Sequence, residues 1–171
     1  MTDFRPMRHK RQQLSAEACA EILQRNTAGT LALLGDEGYP YAVPLSYVYV
    51  EDGDGTGRLI FHSARSGHKI DAILREPKAS FCVIDQDAIV PEEYTTYFRS
   101  VIAFGHMRVI DDETEKRTAI ELLARRYAPE ATPEREAEEI EKDWRILTML
   151  EMQIEHLSGK EAIELVRTRQ E

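Results

Sequence analysis

The stretch Phe61-His-Ser-Ala-Arg-Ser-Gly-His-Lys-Ile-Asp-Ala-Ile73 indicates the fold of this chain most directly. It begins as the end of an apolar strand, and that strand finishes in imidazole and hydroxyl side chains. A turn that contains glycine follows, and the spacing of Ile70 and Ile73 then predicts a short helix that Pro77 ends. The segment therefore predicts a strand–turn–helix unit whose helix begins next to polar strand residues.

The start of this predicted helix has the composition of an anion site. Backbone N–H groups at a helix N-terminus have no partner within the helix and attract negative charge. His68 and Lys69 add cationic side chains in the first turn, where they oppose the helix dipole, and a bound phosphate would offset that cost. Solvation of Arg65, His68 and Lys69 without any ligand is the other interpretation that these residues allow.

The charge of the chain limits the class of its partners. A net charge of −9 on 171 residues argues against nucleic acid and against an anionic membrane surface, because both require a basic face. The charge is uneven, since residues 58–78 hold five Lys or Arg residues and two acidic ones, whereas residues 134–143 hold six acidic residues and two basic ones. A local positive region in an acidic chain suits a small anion better than a large one.

Composition and length predict one globular domain over residues 1–171. No run approaches the ~20 apolar residues that a membrane-spanning helix needs, and the start of the chain has no secretory signal. We therefore expect a cytoplasmic protein. The five histidines are dispersed, and neither CxxC nor HExxH spacing occurs, so we expect no metal site.

Alternating apolar residues and intervening turn residues predict six strands. These lie at residues 30–34, 39–50, 58–63, 79–85, 95–110 and 146–154. Pro44 predicts an irregular second strand, because proline cannot donate to a ladder, and Gly105 predicts a bulge in the fifth. Residues 87–94 are predicted as a loop, and Ser158-Gly159-Lys160 as a turn.

Three N-terminal signals predict the longer helices. Ser15 can cap a first helix, Asp112-Glu-Thr-Glu115 has the spacing of a capping box, and Thr132-Pro133 begins an acidic helix. The last two form a helical insertion at about residues 112–144. Because strands and helices do not alternate regularly, we predict a mainly β fold with flanking helices (α+β), organised as a six-stranded antiparallel split β-barrel.

Several further motifs resemble one known family in their order and spacing. They are Tyr41-Ala-Val-Pro-Leu-Ser46, Leu59-Ile-Phe-His-Ser63, Gly67-His-Lys-Ile-Asp-Ala-Ile73, Pro77-Lys-Ala-Ser-Phe-Cys-Val83, Arg99-Ser-Val-Ile-Ala-Phe-Gly105 and Ile154-Glu-His-Leu-Ser-Gly-Lys160. Together they resemble the FMN-binding split-barrel superfamily, in the branch related to pyridoxamine 5′-phosphate oxidase and nearest to nitroimidazole-resistance (Nim-type) reductases. The resemblance covers about residues 7–160.

The resemblance implies a homodimer that holds FMN at the subunit interface. It implies that Ser63, His68 and Lys69 contact the phosphate and that His62 lies near the reactive edge of the flavin with a catalytic role. The residues that would line the isoalloxazine, mostly through backbone groups, are Val43, Pro44, Leu45, Ser46 and Tyr47. Residues near Tyr97 and Ser100 would approach the flavin from the partner subunit.

The resemblance leaves the activity open. Pyridoxamine 5′-phosphate oxidases carry a C-terminal tryptophan–arginine signature that residues 150–171 do not reproduce, so vitamin B6 oxidation is not expected. The expected function is an FMN-dependent oxidoreductase acting on nitro compounds or other small electron acceptors, with NAD(P)H as a transient donor. The alternatives are a flavin- or haem-binding module without turnover, with His62 or His156 as a haem ligand, and a cofactor-free interaction protein. Trp144 would either cover the flavin or pack in the core.

Overall fold

The computed structural model describes residues 4–52 and 56–168. Its strands are β1 (Ala28–Leu34), β2 (Pro40–Ser46), β3 (Val48–Val50), β4 (Arg58–Ala64), β5 (Lys78–Val90), β6 (Thr95–Ile110) and β7 (Leu147–Glu161). Its helices are α1 (Ala16–Arg25), α2 (His68–Arg75), α3 (Glu113–Tyr127), α4 (Pro133–Asp143) and α5 (Ile163–Thr168), with 3₁₀ turns at Lys10–Gln12, Asp36–Gly38 and Pro91–Glu93. The strands form one sheet in the order β2-β1-β5-β6-β7-β4-β3, and every neighbouring pair is antiparallel.

The mainly β class, the flanking helices and the antiparallel pairing are confirmed, but the six-stranded barrel is wrong. The strand predicted at residues 39–50 divides at Tyr47 into β2 and β3, so the sheet has seven strands. Tyr47 leaves the ladder because its ring is fully buried, edge-on to Phe81 at 5.0 Å, and its hydroxyl donates to the Leu23 carbonyl at 2.8 Å. Because only Tyr47 separates the two edge strands, the sheet must curl back on itself, yet no ladder closes it in the described part of the chain.

β5 and β7 run further than the sequence predicts. β5 continues through the predicted loop at residues 87–94 as far as Val90, because it stays paired with β6. β7 likewise passes through the predicted turn at residues 158–160 and ends at Glu161. Gly159 resembles a turn residue but lies in the strand because α1 approaches it closely, and a Cβ there would lie 2.3 Å from the Sγ of Cys19.

Local signals in the sequence predicted the helix starts correctly and the position of one strand irregularity in part. The side chains of Ser15, Asp112 and Thr132 accept hydrogen bonds from backbone N–H groups in the first turns of α1, α3 and α4. The register between β6 and β7 shifts between Phe104 and Gly105, as predicted, but the extra residue is Glu155, so the bulge lies in β7 opposite Gly105 and not in the strand that contains Gly105.

Two apolar cores lie on opposite faces of the sheet. The main core combines α1 and α2 with inward side chains such as Leu59 and Phe61. A smaller second core packs α3 against the other face, through residues that include Ile60 and Met149. Successive residues of β4 therefore face opposite sides, as the pleat of a strand requires. No helix among the described residues is long and apolar enough to span a membrane.

Candidate functional site

An opening between β2 and β4 leaves backbone groups without a strand partner. β2 pairs only with β1, whereas β4 pairs with β7 over Arg58–Ala64 but with β3 only over Arg58–Ile60. In the described part of the chain, residues 61–64 therefore have no strand along one edge. We call this opening the β2–β4 split.

Pro44 indicates which backbone groups of β2 face the split. It pairs with Thr30 in a continuous register, so the irregularity predicted for this strand is absent from the β1–β2 ladder. A proline is tolerated in a ladder where its missing N–H would point away from the neighbouring strand. Because alternate residues direct their backbone groups to the same edge, the N–H and C=O groups of Ala42 and Ser46 face the split together with the C=O of Pro44.

α2 begins next to β4 with an uncapped N-terminus. Gly67 precedes it with φ 127°, a conformation that favours glycine, and no side chain caps the first turn. Lys69 lies in that turn on the same side of the helix as the buried Ala72 and Ile73. Its ammonium is half-buried, burial lowers its pKa, and no hydrogen bond or ion pair reaches it from the described residues. Lys69 is therefore a partly buried cation without an anionic partner.

The other two predicted phosphate contacts lie near this helix start. His68 stacks on Tyr41 with ring centroids 4.0 Å apart, and its Nε2 lies 3.6 Å from the Oδ2 of Asp36. Ser63 is half-buried on the same face of β4 as Phe61, which is the face that α2 covers. Ser63, His68 and Lys69 thus share one side of the sheet, although His68 already has partners there.

The residues predicted to line the isoalloxazine differ in orientation. Val43 and Leu45 pack against the main core, whereas Pro44 and Ser46 are exposed on the other face of β2. The side chain of Tyr47 belongs to the core, where burial raises the pKa of its phenol. Within this group, only Pro44 and Ser46 present side chains outward.

His62 lies on the opposite face of β4 from Ser63, in a cavity of about 450 Å³. Ser46 lines the same cavity from the other side of the split. α3, α4 and the connection between them form its roof. The residues that line it from the roof and from β7 are Ile120, Leu123, Ala124, Tyr127, Ala128, Ala131, Arg135, Glu136, Glu139, Ile140, Asp143 and Leu147. The structure therefore brings Ser46 and His62 together beneath an α3–α4 roof.

Sequence reasoning missed this roof. Tyr127 lines the cavity and also bridges the break between β2 and β3. Its hydroxyl accepts from the Tyr47 N–H at 3.0 Å and lies within hydrogen-bond distance of two carbonyls, that of Tyr47 at 2.8 Å and that of Thr27. These contacts join distant parts of the chain, so no local pattern predicts them. The sequence indicated the roof only through the predicted helical insertion at residues 112–144.

Trp144 lies at the end of α4 and packs against the second core. The ammonium of Lys116 lies 4.0 Å from the centroid of its ring and donates to its carbonyl at 3.1 Å. The guanidinium of Arg117 lies 4.4 Å from the same centroid. Trp144 therefore anchors α4 to α3 through the second core.

Tyr97 and Ser100 lie at the other end of the sheet from His62. Met149 pairs with both His62 and Ile110, whereas Ser100 lies about ten residues further along β6, or about 33 Å at about 3.3 Å per residue. Tyr97 lies further still. On the β2 side of the split, however, Ser100 lies level with Ser46, three strands away or about 14 Å at about 4.8 Å per strand.

The arrangement suits an elongated organic ligand with one anionic end. The start of α2 and Lys69 provide positive potential, the split provides backbone donors and acceptors, and the cavity provides apolar walls. Within residues 4–52 and 56–168, no group of three or more His, Cys, Asp or Glu residues could hold a metal ion.

Solved structures with the same fold include three proteins of low sequence identity. A candidate 5-nitroimidazole antibiotic resistance protein from Bacteroides thetaiotaomicron is 20% identical, with a TM-score of 0.68 over 86% of this chain and 85% of that chain. A FAD-binding protein from Mesorhizobium loti is 24% identical, with a TM-score of 0.62 and coverages of 88% and 97%. The FAD and haem binding protein from Mycobacterium smegmatis is 23% identical, with a TM-score of 0.66 and coverages of 88% and 73%. At these identities, the similarity establishes the fold alone.

A comparison with curated proteins returns no significant match. A family model described as pyridoxamine 5′-phosphate oxidase, however, matches residues 15–161. This range begins at the cap of α1 and ends with β7, so it includes the whole sheet, the split and the α3–α4 roof. The chain therefore belongs to the pyridoxamine 5′-phosphate oxidase family.

Proposed function

We propose that this chain binds FMN in the β2–β4 split and is an oxidoreductase that reduces small electron acceptors, nitro compounds among them. A flavin supplies the hydride and electron chemistry in such enzymes, while the protein binds, orients and shields it. Lys69 carries the proposal, because a half-buried ammonium without an anionic partner fits a phosphate.

The start of α2 would hold the phosphate. Its uncapped N–H groups and the Lys69 ammonium are donors that an anion satisfies. Ser63 adds a hydroxyl on the same face of the sheet, and His68 adds an imidazole if it exchanges Asp36 for the phosphate. This compact set of donors suits one terminal phosphate, which favours FMN over FAD.

The split would hold the isoalloxazine, with one face of the ring toward the adjacent cavity. Backbone groups of Ala42, Pro44 and Ser46 facing the split can match the alternating donors and acceptors of the flavin ring. His62 lies across the split from Ser46 in the same cavity, where an imidazole can supply or accept a proton near neutral pH. We therefore assign the catalytic role to His62.

The relatives with this fold support a flavin and leave the choice of flavin to experiment. Two of them are described as FAD-binding proteins and a third is linked to nitroimidazole resistance. The family match adds support, because it includes both the split and the start of α2. One relative also binds haem, so a haem-binding or non-catalytic module is the alternative that the first experiment must separate.

A homodimer would complete the proposed site. Tyr97 and Ser100 lie about 33 Å or more along β6 from the level of His62, at about 3.3 Å per residue, and we propose that they approach the flavin of a partner subunit. No glycine-rich nucleotide loop follows a strand in the sequence. NAD(P)H is therefore proposed as a transient donor that exchanges with the small-molecule acceptor over the flavin.

Identification of the bound cofactor tests this function. Denatured protein should release FMN, which chromatography distinguishes from FAD, and cofactor-free protein should regain flavin absorption when FMN is added. Release of FAD would overturn the FMN assignment, and a sharp Soret band would indicate haem. Failure to take up either flavin would contradict flavin binding altogether. A flavin-loaded protein that reduces neither nitroaromatics nor quinones with NADH or NADPH would contradict the oxidoreductase assignment.

A further inference from the structure

The cavity under the α3–α4 roof has the size and walls of a pocket for a small aromatic molecule. Its volume is about 450 Å³, within the range of about 300–1,000 Å³ that is typical of small-molecule sites. Ile120, Leu123 and Ile140 contribute apolar side chains from the two roof helices, and Leu147 contributes one from β7. The cavity can therefore bury a flat apolar group away from water.

Charged groups around this cavity are mainly acidic. α4 contributes Glu136, Glu139 and Asp143 to the lining and only one cation, Arg135. Glu139 lies 2.6 Å from the ammonium of Lys142, and Glu136 lies 3.7 Å from the guanidinium of Arg125. Asp143 has no ion pair among the described residues. Because Arg135 also lies 4.0 Å from Glu139, Asp143 is the carboxylate of this lining that is left to attract a cation.

The floor of the cavity connects it to the β2–β4 split. Ser46 and His62 line the cavity, and both lie at the edges of the split. A molecule in the cavity would thus contact the same two side chains that face the proposed flavin. The anion-binding features, Lys69 and the start of α2, lie on the other face of the sheet and do not line the cavity.

We propose that the cavity is the substrate pocket of this protein and that its occupant is an aromatic electron acceptor carrying a positive charge, such as a nitroaromatic with an alkylammonium group. As a substrate assignment, this rests on the proposed flavin function, although binding in the cavity does not. The apolar walls take the ring, and the carboxylates of α4, Asp143 first among them, take the cation. An aromatic group that itself carries a phosphate or a carboxylate is repelled by Asp143.

Three probes of one shape and different charge test the proposal, namely benzylamine, benzyl alcohol and benzoate. Binding to the full-length protein at pH 7, with and without FMN, is measured by ligand-observed NMR and by the fluorescence of Trp144, the single tryptophan of the chain. Benzylamine should bind about three- to fivefold more tightly than benzyl alcohol, as expected for an exposed charge pair with Asp143, and benzoate should bind most weakly.

Two variants assign this preference to the cavity. Asp143→Asn should reduce the preference for benzylamine over benzyl alcohol about threefold or more. Glu138→Gln removes a charge from the same helix at an exposed position outside the cavity, and it should leave the preference unchanged. Equal binding of the three probes, or an equal effect of the two substitutions, would overturn the proposal.

The probes also separate this proposal from the proposed flavin function. A charge preference in protein that never takes up flavin would support the pocket while contradicting flavin binding. A protein that binds FMN and shows no charge preference would contradict the pocket alone.

Discussion

Lys69 carries a charge that the described part of the folded chain does not neutralise. Burial lowers the pKa of its ammonium, because a desolvated charge is disfavoured. An isolated cation in this position costs stability, so its presence in the first turn of α2 is explained more readily by a ligand than by the fold. A phosphate next to Lys69 would raise its pKa again and stabilise the charged form.

His62 provides a test of catalysis that is independent of cofactor binding. It lies on the opposite face of β4 from Ser63 and lines the cavity, so its imidazole contacts the space above the split. His62→Ala should keep FMN affinity within about threefold yet lower the rate of nitroaromatic or quinone reduction about 10²-fold or more, the usual range for a lost proton-transfer group. Flavin titration and steady-state kinetics measure the two effects.

His9→Ala is the matched control for that substitution, because His9 is exposed in the N-terminal segment and lines no part of this cavity. His9→Ala should change neither FMN affinity nor the rate of nitroaromatic or quinone reduction. Loss of flavin from His62→Ala, with full activity once FMN is saturating, would make His62 a binding residue and contradict the catalytic assignment.

At the scale of elements, local signals predicted most starts and ends, and long-range contacts decided the rest. The caps of α1, α3 and α4 follow from short-range chemistry, and the sequence shows them. The extra length of β5 and β7 depends on pairing with β6, which no local pattern reveals. Gly159 is an example: its residue type predicts a turn, but it lies in a strand, where glycine is required because α1 packs closely against it.

Within the candidate site, too, local features were predictable from the sequence and long-range contacts were not. The start of α2, with His68 and Lys69, was predictable because strand, turn and helix are contiguous in the sequence. The roof over His62 was not predictable, because α3 and α4 lie more than about fifty residues away and reach β4 only through tertiary packing. The orientation of Tyr47 was equally hidden, since a one-residue break in a strand carries no compositional signal.

An ion-pair network joins α1 to the hairpin of β5 and β6. The carboxylate of Asp85 accepts from Arg25 at 2.7 and 2.5 Å and from the Asn26 amide at 2.9 Å, and Arg99 lies 3.4 Å away. Burial alone would raise the pKa of Asp85, but the hydrogen bonds from Arg25 and Asn26 hold it below its ordinary value. The network therefore stabilises the fold at neutral pH.

Asp85→Asn should lower the free energy of unfolding by about 1.5–3 kcal/mol at pH 7. Because the folded-state pKa of Asp85 is lowered, the unfolded state binds more protons below about pH 4, and this contribution is lost as the pH falls further. Urea unfolding should therefore give free energies of unfolding for the parent and the variant that approach each other as the pH falls below about 4. Asp87→Asn, at an exposed position of the same strand, should change neither the stability at pH 7 nor its pH dependence. Parallel pH dependences for the parent and Asp85→Asn would contradict a stabilising role of the Asp85 carboxylate.

At the scale of the molecule, one hairpin extends beyond the sheet with exposed apolar side chains. β5 and β6 pair as far as Val90 and Thr95, while β7 pairs with β6 only from Arg99 onward. Ile89 and Tyr94 on this arm are 77% and 98% exposed. Apolar surface of this kind marks an interaction site, and the arm lies at the same end of the sheet as Ser100.

We expect a dimer at micromolar concentration in sedimentation experiments. Ile89→Asp should weaken dimerisation about tenfold or more, since it would place a charge in the proposed apolar contact. FMN affinity should fall with it, because in our proposal the partner subunit supplies part of the site. Ile146→Asp is the control, because this side chain is 65% exposed and lies outside the arm. A monomer that binds FMN tightly would contradict a shared site.

FMN and riboflavin titrations of the parent, Lys69→Met and Lys78→Met test the central claim most directly. Riboflavin lacks the phosphate, and Lys78 is an exposed lysine in the same basic region. Lys69→Met should weaken FMN binding about 10–100-fold, the equivalent of one charge-assisted hydrogen bond, and should leave riboflavin affinity unchanged. Lys78→Met should leave the affinities for both FMN and riboflavin unchanged. Unchanged FMN affinity in Lys69→Met, or an equal loss of FMN and riboflavin, would contradict a phosphate held by Lys69 at the β2–β4 split.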